Sequence, residues 1–184
     1  YIAGLFGEDG LALIDLWNLD KGSRKILSGY GRGEQPLPVF KMPHLRGWSI
    51  ARNRAYLLAI GRHEVLVVDT ATWQEVDRIQ VKSQPVFAMA RPDGREIWVN
   101  FAFPDNGWVQ VIDTVSGKVT DTLQPGRGIL HMEFLSKGHE IWLSARDDNK
   151  VVIYDTASKQ PIGGFESASP SGIFFTTRAA RTGF

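Results

Sequence analysis

Residues 39–70, VFKMPHLRGWSIARNRAYLLAIGRHEVLVVDT, open a module that the rest of the chain repeats. Its close, EVLVVDT at 64–70, returns as WVQVIDT at 108–114 and KVVIYDT at 150–156, so that Asp69, Asp113 and Asp155 stand 44 and 42 positions apart. Ahead of each close sits another short apolar run: AYLLA at 55–59, EIWVN at 96–100 and EIWLS at 140–144. Behind them come QEVDRIQV, KVTDTL and QPIGGF. Each unit is led by a further run: GWSIA at 47–51, VFAMA at 86–90, ILHMEF at 129–134 and, last, GIFFT at 172–176. Short β-branched and aromatic runs bounded by Gly, Pro and Asp are strand signals. Four such strands per ~40–45 residues predict the blade of a β-propeller. No segment carries an i, i+3, i+4, i+7 apolar stripe long enough for a helical repeat.

Working outward, residues 1–31 read as strand, turn, strand, loop, strand, and GRGEQPLP at 31–38 is a loop. The expected division is one all-β, partial β-propeller domain over 1–184, with blade remnants and repeats at about 1–31, 39–81, 86–124 and 129–165 and a final strand at 172–177. The first module lacks its leading strand and the last consists only of one. That gives about four four-stranded blades cut out of register. Such an arc leaves unpaired strand edges. They can be closed by a missing part of a longer chain, by a second copy in a homodimer, or by the chain on itself as a ring of about four blades. The chain starts at Tyr1, inside an expected strand, which predicts a fragment.

Composition narrows the function classes. The net charge of +1 gives no basic field for nucleic acid. No apolar run approaches the ~20 residues that span a bilayer. With no cysteine, disulfides, thiolate metal sites and thiol nucleophiles are excluded. There is no Gly-x-Ser-x-Gly, phosphate loop, dinucleotide fingerprint or His-x-x-x-His pair. The recurring Asp-Thr is expected to be structural, the carboxylate accepting hydrogen bonds from the following turn.

In propellers the leading strands line a central channel where ligands sit. That places Trp48, Phe87, His131, Met132 and Phe174 near the axis, His44 on the loop before it, and Arg46, Arg127 and Arg178 nearby. Aromatic faces with guanidinium groups suit a flat, carboxylate-bearing ligand. By period two, His131 and Glu133 share one strand face, and Leu130, Met132 and Phe134 the other. His63 and His139 fall in turns.

The run MPHLRGWSIARNRAYLLAIGRHEVLVVDT, with EIWLSARDDNKVVIYDT and SPSGIFF, resembles the d1-heme domain of the cytochrome cd1 nitrite reductases. There a His, two spacer residues, Gly-Trp, an apolar strand and a V-x-V-Asp strand end follow in this order. The ends YIAGLFGEDGLALIDLW and SGIFFTTRAARTGF are similar to the d1-heme biosynthesis branch of that family. The resemblance spans essentially the whole chain and implies the C-terminal half of a propeller of about eight blades. It also implies a periplasmic location and a channel that binds d1 heme or a late precursor. His44 matches one of the two histidines that flank the substrate in the reductase and is the implied catalytic residue. His44, Arg46, Trp48, Phe87, Arg127, His131 and Phe174 are the implied cofactor contacts. No metal ligand is implied here, because the proximal iron ligand of the family lies in its N-terminal half. The stretch matching the second histidine reads Lys82-Ser83-Gln84-Pro85-Val86-Phe87, without a histidine. That departure disfavours nitrite reduction and favours biosynthesis: an oxidoreductase (dehydrogenase) step on the macrocycle periphery, or a non-catalytic propeller that holds and delivers the cofactor. Implied partners are other d1-heme biosynthesis proteins and nitrite reductase; the remaining alternative is a generic protein-binding propeller.

Overall fold

The computed structural model describes residues 1–4, 10–27 and 47–176. Fifteen strands in these stretches form four antiparallel sheets, each a simple meander in chain order. The first sheet holds β1 (Ile2–Gly4), β2 (Leu11–Ile14) and β3 (Ser23–Ile26). The second holds β4 (Trp48–Ala51), β5 (Arg54–Ala59), β6 (Glu64–Asp69) and β7 (Glu75–Gln80). The third holds β8 (Pro85–Ala90), β9 (Glu96–Phe101), β10 (Val109–Asp113) and β11 (Lys118–Leu123). The fourth holds β12 (Ile129–Phe134), β13 (Glu140–Ala145), β14 (Lys150–Asp155) and β15 (Pro161–Glu166).

The core lies between the sheets, which is why the second and third strands of each module read as unbroken apolar runs: both of their faces are covered. Ala55, Leu57, Leu66 and Val68 pack against Ile2 of the first sheet, while Tyr56, Val65 and Val67 turn the other way onto Ile97, Val99 and Ile112. Trp98, Val109 and Val111 meet Met132, Phe134, Ile141 and Leu143 in the same manner. Trp98 is fully buried, its ring edge-on to Phe134 with centroids 6.0 Å apart. The fourth strands face outward, and β15 is exposed along its whole length.

The Asp-Thr pairs knot one end of each of these three sheets. Asp69 accepts from the Ala71 and Thr72 N–H groups, Asp113 from Val115 and Ser116, and Asp155 from Ser158. The adjoining threonine hydroxyls donate to the turn between the first two strands: Thr70 to the Asn53 carbonyl, Thr114 to Gly94 and Thr156 to Gly138. Gly138, at φ +73°, lies so close to the preceding sheet's Pro92 that an added Cβ would stand 2.8 Å from the proline Cδ.

The expected strand at 172–177 is corrected. Residues 171–175 carry no strand, and 177 lies outside the described residues. A strand needs a partner edge, and none of the described strands pairs with this segment. It lies instead against the fourth sheet, where Phe175 meets Trp142 edge-on at 5.2 Å and 89°. That repeats the geometry of Phe134 on Trp98, so the segment fills part of the place a following sheet would take.

Candidate functional site

The site is built on an irregularity shared by β8 and β12. In each strand two residues oppose one on the neighbour: the pairing steps from Pro85–Phe101 to Phe87–Asn100, and from Ile129–Ala145 to Met132–Leu143. A bulge of this kind re-aims the side chains beside it. The N–H groups it frees are caught by side chains. Phe87 N–H donates to Asn100 Oδ1 at 3.0 Å, and His131 N–H to Ser144 Oγ at 2.8 Å. Asn100 Nδ2 also donates to the Ile129 carbonyl at 2.8 Å, joining the two sheets.

These anchors bring Phe87 and His131 together. Both are buried, with ring centroids 5.9 Å apart and planes at 78°. Phe174 also lies against the imidazole, at 5.2 Å and 40°. The Ile173 N–H donates to His131 Nδ1 at 3.2 Å, which places the proton of a neutral imidazole on Nε2. Phe174 is 65% exposed, so the group forms the lip of a mouth and not a sealed core. Glu133, two residues along from His131, is buried as well.

The bulge corrects the strict period-two reading. Ile129, and not Leu130, joins Met132 and Phe134 in the core. Register also relocates Trp48. Register pairs Trp48 with Leu57 as Ala88 pairs with Val99 and Met132 with Leu143. Trp48 therefore sits at the core-facing position, packed on the cluster of Ile2, Ala55 and Leu57, and Gly47 takes the place that Phe87 and His131 hold in their sheets. A tryptophan is large and apolar enough to favour this partly buried, core-facing position over the channel one. Arg127 lies at the N-terminal end of β12, its side chain 77% exposed. Its Nε donates to Asp148 Oδ1 at 2.6 Å, and its backbone N–H to Oδ2 at 2.7 Å. The backbone bond and then the side-chain bond hold the Asp148 carboxyl below the usual carboxylate range, and the side-chain bond pushes the guanidinium further up. His44, Arg46 and Arg178 lie outside the described residues. The sequence reading misses Asn100 and Ser144; the signal for both is a small polar residue one place before the end of a run that is otherwise apolar after its first glutamate.

A cleft of about 560 Å³ lined by Tyr1, Trp17, Lys21, Arg24 and Trp73 lies at the turn following β6, at the other end of the strands from this mouth. Among the described residues no cluster of His, Cys, Asp and Glu is arranged to hold a metal ion.

The model of the cytochrome D1 heme domain matches residues 1–179. The chain is homologous to NirF. It is 52% identical to "Protein NirF" of Pseudomonas aeruginosa over 183 residues, which are 100% of this chain and 47% of that protein. With NirF of Stutzerimonas stutzeri the identity is 53% over the same 183 residues, again 47% of the relative. The chain thus spans about half the length of these relatives. Among solved structures, "Dihydro-heme d1 dehydrogenase NirN in complex with DHE" superposes with a TM-score of 0.70 over 93% of this chain and 36% of that one, at 23% identity. Hydrazine synthase of Kuenenia stuttgartiensis follows with a TM-score of 0.61, 16% identity, and 72% and 40% of the two chains covered. These likenesses show the propeller-type fold of four radially packed sheets.

Proposed function

We propose that this chain, which belongs to the cytochrome D1 heme domain family, serves d1-heme biosynthesis by binding d1 heme or a late tetrapyrrole precursor at the mouth framed by β8 and β12. The observation that carries the reading is His131, buried on a leading strand in contact with the rings of Phe87 and Phe174. The residues fit such a ligand. Aromatic faces match a flat conjugated ring, and the exposed Arg127 guanidinium, oriented by Asp148, suits peripheral carboxylates. His44, Arg46, Trp48, Arg127, His131, Phe87 and Phe174 remain the proposed contacts. His44 is the proposed proton-transfer residue, and Trp48 contributes through the wall it packs.

The finer reading is an oxidation at the macrocycle periphery, in line with the dehydrogenase named for the NirN neighbour. The chain has no cysteine, so its own side chains bind, orient and move protons, and the electrons leave to an acceptor outside it. Holding and delivery without chemistry is the second reading, favoured by His131 Nδ1 being already occupied by the Ile173 N–H. We place the protein in the periplasm, working with other d1-heme biosynthesis proteins or nitrite reductase, its ring completed by further chain or a second copy.

A spectral titration of the full-length protein with d1 heme tests this. A saturable shift of the absorption bands, lost in His131→Ala, is the expected result. No shift with the parent protein sinks the tetrapyrrole reading, and parental binding by His131→Ala sinks the site.

A further inference from the structure

Each four-stranded sheet connects its second strand to its third at the mouth end, and the third module departs from the other two. Leu58 pairs with Val65 and Ser144 with Val151, each across six residues, 59–64 and 145–150. The equivalent pair, Asn100 and Val109, is joined by eight, 101–108. The two short connections are 3-10 turns at Ile60–Arg62 and Arg146–Asp148, and neither holds a Phe, Tyr or Trp. The longer one displays Phe103, 75% exposed.

This connection is tied down along its length. The Ala102 N–H donates to the Gln84 carbonyl at 2.9 Å, the Trp108 N–H to Asp105 at 3.0 Å and the Ile129 N–H to Asn106 at 2.7 Å. Lys82 Nζ stands 3.7 Å from Asp105 Oδ1. Gly107 lies so close to the next loop that an added Cβ would stand 2.8 Å from the Gly126 carbonyl oxygen. Gln84 immediately precedes β8 and Ile129 opens β12, so the connection runs from the entry of one leading strand to the entry of the next and borders the mouth. A single surface phenylalanine needs no explanation by itself. One that stands in a module-specific extension, on a backbone fixed at both ends, is pre-ordered: binding through it costs little conformational entropy. Large aromatic side chains of this kind are the usual anchors of protein interfaces.

We infer that Phe103 anchors a second protein, one with an apolar pocket beside its own tetrapyrrole site, which docks over this mouth to exchange the macrocycle. The inference rests on the tetrapyrrole reading above. A flat, largely apolar macrocycle passing from one protein to another is kept out of water only when the two mouths face each other. The second protein's rim must then pass over the connection at 101–108. Phe87 and His131 sit at the bulges inside their strands, whereas Phe103 stands two residues beyond the end of β9 with most of its ring in water. That favours a protein rim over the bound ligand as the surface that covers it.

The experiment mixes full-length protein loaded with d1 heme with nitrite reductase freed of d1 heme and follows transfer by the absorption bands. It compares the parent with Phe103→Ser and with Val115→Ser, a control 72% exposed at the opposite end of the same sheet. The parent's transfer rate should rise with acceptor concentration. Phe103→Ser should be about ten-fold slower, as for an interface anchor, with parental affinity for d1 heme and parental melting temperature. Val115→Ser should match the parent throughout. Parental transfer by Phe103→Ser, equal slowing by Val115→Ser, or parental transfer that ignores acceptor concentration overturns the inference and leaves the tetrapyrrole reading intact. Weaker d1-heme binding by Phe103→Ser makes the ring a ligand contact and overturns it as well. No binding of d1 heme by the parent overturns both readings. Should Phe103→Ser melt below the parent, Phe103→Gln decides, because its longer chain keeps contact with the loop while removing the ring.

Discussion

β8 and β12 share one backbone and carry different side chains. Each has the bulge at its third residue, and each has the freed N–H caught from the following strand, by Asn100 in one case and Ser144 in the other. At the re-aimed position β8 places Phe87 and β12 places His131. The first is a hydrocarbon wall. The second is a titratable donor and acceptor held in one tautomer by the Ile173 N–H. The fold repeats the frame and varies the group displayed in it, so the chemistry is to be sought where a module departs from its neighbours.

The comparison is broken most severely by Phe87→Ala. Removing a buried aromatic ring costs about 3–5 kcal/mol, read as a lower urea midpoint at unchanged slope. His131→Phe makes β12 a copy of β8 and should lose less than Phe87→Ala, because a ring is kept in place while the Ile173 hydrogen bond, worth about 1 kcal/mol, is lost; ligand binding should be abolished. Equal stability losses for the two variants would show that Phe87 and His131 are both mere packing.

The anchors sharpen it further. Asn100→Ala strands two buried groups, the Phe87 N–H and the Ile129 carbonyl, and should cost about 2–4 kcal/mol. Ser144→Ala removes the partner of the His131 backbone within one sheet and should cost about 1–3 kcal/mol. Denaturation of the two variants side by side checks the order. A costlier Ser144→Ala would mean that the link between sheets contributes less than the bulge itself.

The sequence shows the frame and hides the display. The Asp-Thr closes and the paired apolar runs mark the modules, because both faces of those strands must be covered and the pattern has no freedom. The bulges were not legible: one extra residue shifts a period of two, and nothing in Val86-Phe87 or Leu130-His131 announces it. Trp48, in register with Ala88 and Met132, turns toward the core by plain alternation, away from the mouth where Phe87 and His131 stand. GIFFT reads as a strand by composition, yet a strand exists only where an edge receives it, and the edge is not a property of the segment. His131 was legible because a histidine and a glutamate two apart in an apolar strand have no packing reason to be there.

The smallest expected effect separates the other ends of the sheets from this mouth. Asp69, Asp113 and Asp155 all have carboxyls held below the usual range, chiefly by a backbone N–H, from Thr72, Ser116 and Ser158 respectively. A carboxylate whose folded pKa is depressed contributes stability above its unfolded value, about 3.9, and loses that contribution as pH falls through the lower folded value. The melting temperature should therefore be flat from neutrality to about pH 5 and fall below about pH 4. The three side chains make equivalent bonds in three sheets, so Asp69→Asn, Asp113→Asn and Asp155→Asn should each flatten the acid limb by a similar amount. They should leave ligand binding at neutral pH untouched, because the Asp-Thr knots lie at the ends of the strands away from His131. An acid limb unchanged in all three variants would assign the acid sensitivity elsewhere, with Asp148 at the mouth the next carboxylate to test.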